Sequence, residues 1–301
     1  MSEIWVPITI AAAFSQNVRN ALQKYLTTNL STAGATQVRF LYAIPFATLY
    51  LVFLCYGAGY KLPNINMSFA VYAVVGAVSQ IFATELLVKL FAYRNFFIGT
   101  TYSKTESLQT AALGFFVLSD KLTFGAIAGI AIGIIGVAVI SSTKSKFSLV
   151  EILKSLCSKT AAIGIFSGFL FAVASVSYRG ACISLDGDYV IKAAFTLITV
   201  LVFQSILVMV YLLKREEGQM TLVLKNWRIS WLVGLSGMLA SVGWFTAMAI
   251  QNAAHVRALG QVELAFAFLA SAFVFKERVS KIELIGVSFI VLGVLVLLAY
   301  K

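Results

Sequence analysis

The sequence predicts an all-α integral membrane protein of ten transmembrane helices arranged as two inverted five-helix repeats, and three observations predict it. First, the 301 residues are 60% hydrophobic and 12% charged, with a mean hydropathy of +0.92, whereas a soluble domain carries about 25% charged residues. Second, the apolar residues fall in successive runs of about 20, the length at which a helix crosses the hydrocarbon core of a bilayer. Third, polar residues and glycines inside the runs recur at a fixed offset. At a shift of 157 positions Glu106 falls on Glu263, Asp120 on Glu277, Lys121 on Arg278, Thr123 on Ser280, Gly129 on Gly286 and Gly136 on Gly293. This is an internal repeat. Each copy holds five spans, an odd number, so the second copy enters the membrane from the opposite side. Inverted repeats of this kind place a substrate site near the midplane, between the halves. The copies are expected at 1–145 and 160–301, with a linker at 146–159.

The composition also excludes function classes. The net charge of +11 comes from Lys and Arg clustered in short loops, where they set topology and meet lipid headgroups. No basic soluble surface is left for nucleic acid. Cys55, Cys157 and Cys182 are odd in number and widely spaced, which indicates neither a disulfide framework nor a zinc site. His255 is the only histidine and builds no metal cluster by itself. No cofactor is expected, and the expected partners are the bilayer and a small-molecule metabolite.

The first run, Ile4 to about Leu26, lacks a basic leader and reads as a retained span. Its second half carries Gln16, Asn17, Arg19 and Asn20, which should face the protein interior or an aqueous cavity, since polar groups are expensive against lipid; Arg19 snorkelling to the interface is the alternative. A second run, Ala33–Tyr56, holds Arg39 and Pro45, and the proline predicts a kink. The third, Met67 to about Phe91, ends with Glu85 and Lys89 at i,i+4 spacing, close enough to pair. The fourth contains Tyr102, Lys104 and Glu106, and the fifth, Leu122–Ile140, a GxxxGxxxG stripe at Gly125, Gly129 and Gly133. That stripe predicts close helix packing, within the fold or in a homodimer.

The stretch 141–159 suits either an interfacial amphipathic helix or a connector. In the second half, runs are expected at Thr160–Cys182, Tyr189–Leu213, Trp227–Ile250, from His255 onward, and at Ile282–Tyr300, with a charged loop at Lys214–Asn226. Arg19 and Ala21 are echoed by Arg179 and Ala181 at a shift of 160.

The candidate substrate-binding residues are Asn17, Arg19, Asn20, Tyr102, Lys104, Tyr178, Arg179, Trp244, Arg257 and Gln261. Cations inside the spans outnumber anions, which favours a ligand bearing a carboxylate or phosphate. Glu85, Glu106 and Glu263 are candidates for proton coupling or helix packing, because a buried carboxylate is costly unless it is protonated or paired. On a regular helix Lys104 and Glu106 point about 200° apart, as do Gln261 and Glu263. The expectation is that the Lys104–Gln261 face meets the ligand while the glutamates couple or pack.

The pattern Glu263 … Glu277-Arg278-Val279-Ser280 … Gly286 … Gly293, echoed by Glu106 … Asp120-Lys121-Leu122-Thr123 … Gly129 … Gly136, resembles the EamA-type transporters of the drug/metabolite transporter superfamily. The resemblance implies an alternating-access carrier of the inner cell membrane with a central cavity between the halves. The family includes amino-acid exporters, which points to an amino-acid-like solute. It often places proline directly after the glutamate, where this chain has Ser107 and Leu264. Family members usually keep both termini inside the cell. Here a cytoplasmic N-terminus would leave Lys61, Lys121 and Lys301 inside against thirteen basic residues outside, so the charge rule favours both termini outside.

The function expected is secondary transport of a small anionic or zwitterionic metabolite, with or without proton coupling. The alternatives are a multidrug or other organic-solute exporter and, more remotely, a pore or an intramembrane enzyme. No HExxH and no nucleophile–base pair speak for the enzyme.

Overall fold

A computed structural model describes residues 4–93, 102–103, 105–118, 124–141, 159–251, 253–277 and 280–299. All regular structure among them is helical. Lys104, Asp120, Lys121 and most of the expected linker at 146–159 lie outside the described residues.

Helix α1 spans Trp5–Leu26. The second run is broken in two, α2 at Thr32–Leu41 and α3 at Ile44–Val52, with Pro45 in the first turn of α3. A proline tolerates that position because its missing N–H would have no partner there. The expected kink therefore takes the form of a two-residue interruption at Tyr42 and Ala43. A π-turn at Phe53–Gly57 ends the run, with the Ala58 N–H reaching back five residues to the Phe53 carbonyl at 3.1 Å.

Helix α4 is Met67–Tyr93, entered through Asn66, whose side chain accepts the Phe69 N–H at 2.8 Å. Helices α5 (Glu106–Leu118) and α6 (Phe124–Ser141) complete the first half. In the second half, α7 is Lys159–Ile183 and α8 is Tyr189–Arg215. The Asp188 side chain caps α8 by accepting the Val190 N–H at 2.8 Å. The segment expected to be only a charged loop contains a short helix, α9 at Gln219–Lys225, which starts after Gly218 at φ 78°.

Helix α10 is Trp227–Ile250, matching the expected run. The ninth run departs most from a regular span. It is α11 (Ala253–Leu259), a 3₁₀ turn (Gly260–Val262), α12 (Glu263–Leu269) and a π-turn (Ala270–Val274) in succession. Helix α13, Lys281–Ala299, ends the described chain.

Six segments of the described residues are long and apolar enough to cross a membrane: Thr32–Gly57, Met67–Phe91, Lys159–Ile183, Tyr189–Arg215, Trp227–Ile250 and His255–Val274. Helix α1 falls outside this set, and its polar second half explains why. The molecule is apolar outside and polar inside. Leu49, Phe53, Phe82, Leu213 and Leu232 are exposed, whereas Gln16, Arg19, Asn20, Gln37, Arg39, Glu106, Gln204 and Glu263 are buried. A surface this apolar needs hydrocarbon around it, so the chain is a multi-pass membrane protein.

The most extensive helix pairings join the two halves of the chain, α6 with α13, α4 with α7, α1 with α10 and α5 with α7, and α2 with α8 joins them as well. The α6–α13 pair approaches backbone to backbone. A Cβ on Gly293 would lie 2.6 Å from the Gly129 carbonyl oxygen and 3.0 Å from the Gly133 nitrogen, so only glycine permits this seam. The glycine stripe thus packs within the fold.

Candidate functional site

Many of the polar residues of the spans meet in one place. On α1, Gln16, Arg19 and Asn20 stand at i, i+3 and i+4, one side of the helix. On α10, Ser241, Trp244, Phe245 and Met248 do the same. Together with Arg39 of α2, Gln80 of α4, Glu106 of α5, Tyr178 of α7 and Arg257 of α11 they enclose a cavity of about 20 Å³. That is room for about one water molecule, so in this conformation the walls close on each other.

The walls are cross-linked by hydrogen bonds. Gln16 Nε2 donates to Glu263 Oε2 at 2.6 Å and Asn20 Nδ2 to Glu263 Oε1 at 3.1 Å. Arg19 donates from Nη2 and Nε to Asn20 Oδ1 at 2.7 and 3.2 Å. Trp244 Nε1 donates to Gln16 Oε1 at 2.8 Å. Across the cavity, Arg257 Nε lies 2.9 Å from Glu106 Oε1 and 2.9 Å from Ser175 Oγ, and its guanidinium covers the Trp244 ring at 4.5 Å. The Ser175 hydroxyl is also 2.9 Å from Glu106 Oε1. Arg39 Nη1 donates to Thr84 Oγ1 at 2.6 Å. The Tyr178 hydroxyl donates to Gln80 Oε1 at 2.9 Å, and its ring stacks on Phe245 at 4.7 Å.

Arg19 and Arg39 are 1% and 5% exposed, and among the described residues neither forms an ion pair. A buried guanidinium without a carboxylate is expensive. Here its N–H groups are met only by neutral oxygens. The described charges around the cavity are three guanidiniums, of Arg19, Arg39 and Arg257, and two carboxylates, of Glu106 and Glu263.

Of the residues proposed from sequence, Arg19, Asn20, Glu106, Tyr178, Trp244 and Arg257 border the cavity, and Glu263 stands behind Gln16 and Asn20. Others are placed elsewhere. Asn17 is buried outside the cavity wall, and its Nδ2 has no partner among the described residues. Tyr102 packs between α4 and α7, against Leu90 and Ala161. Arg179 Nη1 donates to the carbonyls of Met248 and Gln251 at 2.9 and 2.7 Å, closing the C-terminus of α10. Gln261 Nε2 donates to Ser107 Oγ, which donates to the Arg257 carbonyl, so Gln261 ties α11–α12 to α5. Glu85 is half-buried on the other side of α4 and, against the i,i+4 expectation, forms no ion pair with the exposed Lys89.

The geometry behind the face assignment is not that of one regular helix. The 200° separation assumes a regular helix, but Gln261 lies in a 3₁₀ turn, where residues advance by 120° rather than 100°. Glu106 itself borders the cavity, while Lys104 lies outside the described residues. Sequence reasoning left Gln16, Arg39, Gln80, Ser175 and Ser241 off the site. Gln16 and Arg39 carry a signal, a polar group deep in an apolar run. Ser175 and Ser241 carry none.

Residues 158–299 match the model of the EamA-like transporter family. The chain carries an EamA-like transporter domain. Its acidic anchor, Glu263, its α10 wall and Arg257 all fall inside the matched segment. No curated protein matches the chain. Among 24 matching chains of solved structures, one described only as a "Crystal structure of protein" superposes with a TM-score of 0.64 at 15% identity. The superposition covers 99% of this chain and 97% of that one, and it speaks for the fold alone.

Proposed function

We propose that this EamA-like protein is a secondary active carrier for a small anionic or zwitterionic metabolite, amino-acid-like in its chemistry. It works by alternating access in the inner cell membrane. The single observation that carries the reading is the pair of buried guanidiniums, Arg19 and Arg39, which face one cavity with no carboxylate partner among the described residues. A carboxylate on the ligand would supply the missing anion through charge-assisted, bidentate hydrogen bonds. Phe245, Met248 and Phe171 on the same walls would cover an apolar side chain.

The architecture proposed with this function is ten spans in two inverted five-helix repeats. The pairing pattern supports it. Exchanging the halves turns the α1–α10 contact into the α7–α4 contact and maps the α6–α13 and α2–α8 contacts onto themselves, as a two-fold axis in the membrane plane would require. Alternating access requires the 20 Å³ cavity to widen toward one side at a time. Glu263, held by the amides of Gln16 and Asn20, is the proposed proton site. Glu106, paired with Arg257, is the proposed helix lock.

Counterflow of labelled amino acids and organic acids in proteoliposomes tests the reading. Arg39→Gln is expected to raise the KM of the transported solute roughly tenfold to a hundredfold, the worth of a hydrogen bond to a charged group. Glu263→Gln is expected to remove the response to an imposed pH gradient. Failure of every anionic and zwitterionic solute to show counterflow overturns the proposal, as does an Arg39→Gln carrier with unchanged KM.

A further inference from the structure

A second, larger cavity lies away from the polar centre and shares no lining residue with it. It holds about 410 Å³ in a groove between α2, α4 and α8, the size of a small-molecule site. Val78, Ile81 and Leu207 line its depth, and Glu85 and Tyr211 stand toward one end. Phe82, Leu207 and Tyr211 are exposed. On membrane-spanning helices such side chains meet lipid, so the groove opens sideways into the bilayer.

Glu85 is the one charged residue among the described lining. It is half-buried and forms neither a hydrogen bond nor an ion pair among the described residues. Two charges act on it from further away, Lys89, exposed one turn along α4, and Glu216, just past the end of α8. They have opposite signs and oppose each other at Glu85. The carboxylate is therefore left without a counterion at the edge of an apolar wall, where an unpaired charge is expensive. From Glu85 back to Val78 that wall runs about 10 Å along the helix axis, at 1.5 Å per residue. The complement of such a groove is an apolar body with one cation at its end. An anion would face a like charge, and a neutral solute would leave the carboxylate unpaired. A phospholipid with its tail in the depth would bring its phosphate to Glu85 before any ammonium.

We propose that this groove binds an amphipathic monoamine, an apolar body ending in a single ammonium, which enters from the bilayer. The body lies along Val78, Ile81 and Leu207, and the ammonium donates charge-assisted hydrogen bonds to the Glu85 carboxylate. The occupant touches α2 in one half of the chain and α8 in the other, so it holds the halves together in this closed conformation. The site stands whether or not the polar centre carries a solute.

The test is thermal unfolding of the full chain in phosphatidylcholine nanodiscs titrated with decylamine. The amine is expected to raise the melting temperature to a plateau, as a ligand of the folded state does. Glu85→Gln should raise the half-saturating concentration about fivefold, the size of one partly exposed ion pair. Leu207→Trp, which fills the groove and leaves the carboxylate in place, should raise it as well. Glu263→Gln, which removes a carboxylate of the polar centre, should leave it unchanged. Absence of a saturable shift in the unaltered protein overturns the proposal. So does a half-saturating concentration that ignores Glu85→Gln or Leu207→Trp, or one that Glu263→Gln raises as much as Glu85→Gln, which would place the amine in the polar centre.

Discussion

At the scale of single residues, the interior is held by charges that have no water to fall back on. Glu106 and Arg257 are nearly inaccessible and 2.9 Å apart. Removing one partner of such a pair leaves the other buried and alone, which costs about 3 kcal/mol or more. Glu106→Gln and Arg257→Gln should each lower the melting temperature of the purified protein in detergent. The double substitution should lose less than the sum of the two, and a thermal double-mutant cycle measures the difference. Additive losses would mean that the pair contributes nothing as a pair. The residue types in this core were readable beforehand, since Arg19, Asn20, Glu106, Arg257 and Glu263 stand out in apolar text. Their partners were not. Nothing in the sequence pairs Glu106 with Arg257 rather than with a cation of its own helix, because pairing depends on which helices are neighbours.

At the scale of elements, the breaks matter more than the helices. Pro45 announces the interruption between α2 and α3, because proline lacks the N–H that a helix interior needs. The 3₁₀ turn at Gly260–Val262 has no such herald, as this chain carries no proline beside Glu263. Its requirement becomes visible only in three dimensions. A Cβ on Gly260 would sit 2.4 Å from Trp244 Cη2, so the break lets the α11–α12 backbone press against the indole face. Gly260→Ala should push Trp244 off Gln16 and Arg257 and destabilise the protein by about 1–3 kcal/mol through overpacking, read as a lower melting temperature. A melting temperature equal to that of the unaltered protein would show that Trp244 has room to yield. The π-turns at Phe53–Gly57 and Ala270–Val274 were equally hidden, since an extra residue in a helical turn leaves the apolar pattern almost unchanged.

At the scale of the molecule, ion pairing and packing tie the two halves to each other. Lys24, at the end of α1, pairs with Glu277, which follows the second π-turn, and lies 4.5 Å above the Phe275 ring. The repeat in the sequence marked Glu277 as a position of interest but gave no role for it; the role is to hold the end of α1 against the last turn before α13. If the halves rock against each other in transport, this contact must open in every cycle. A Lys24→Cys/Glu277→Cys pair, joined by a short reducible bis-thiosulfonate linker because a direct disulfide needs closer Cα atoms than a Lys–Glu ion pair does, in a background lacking Cys55, Cys157 and Cys182, should arrest counterflow, and reduction should restore it. Full counterflow with the bridge intact would place the moving parts elsewhere.

The position of Trp244 has a spectroscopic consequence. The chain has four tryptophans. Trp5 lies in the first turn of α1, and Trp227 and Trp231 are exposed at the start of α10. Trp244 alone lines the polar cavity, with a guanidinium over its ring and an amide oxygen on its indole nitrogen. Replacing the other three with phenylalanine therefore leaves one fluorophore whose emission depends on the charge 4.5 Å from its face. The protein carries its own dye at the position where a solute would enter, and a titration can be followed in a cuvette without a label or a flux.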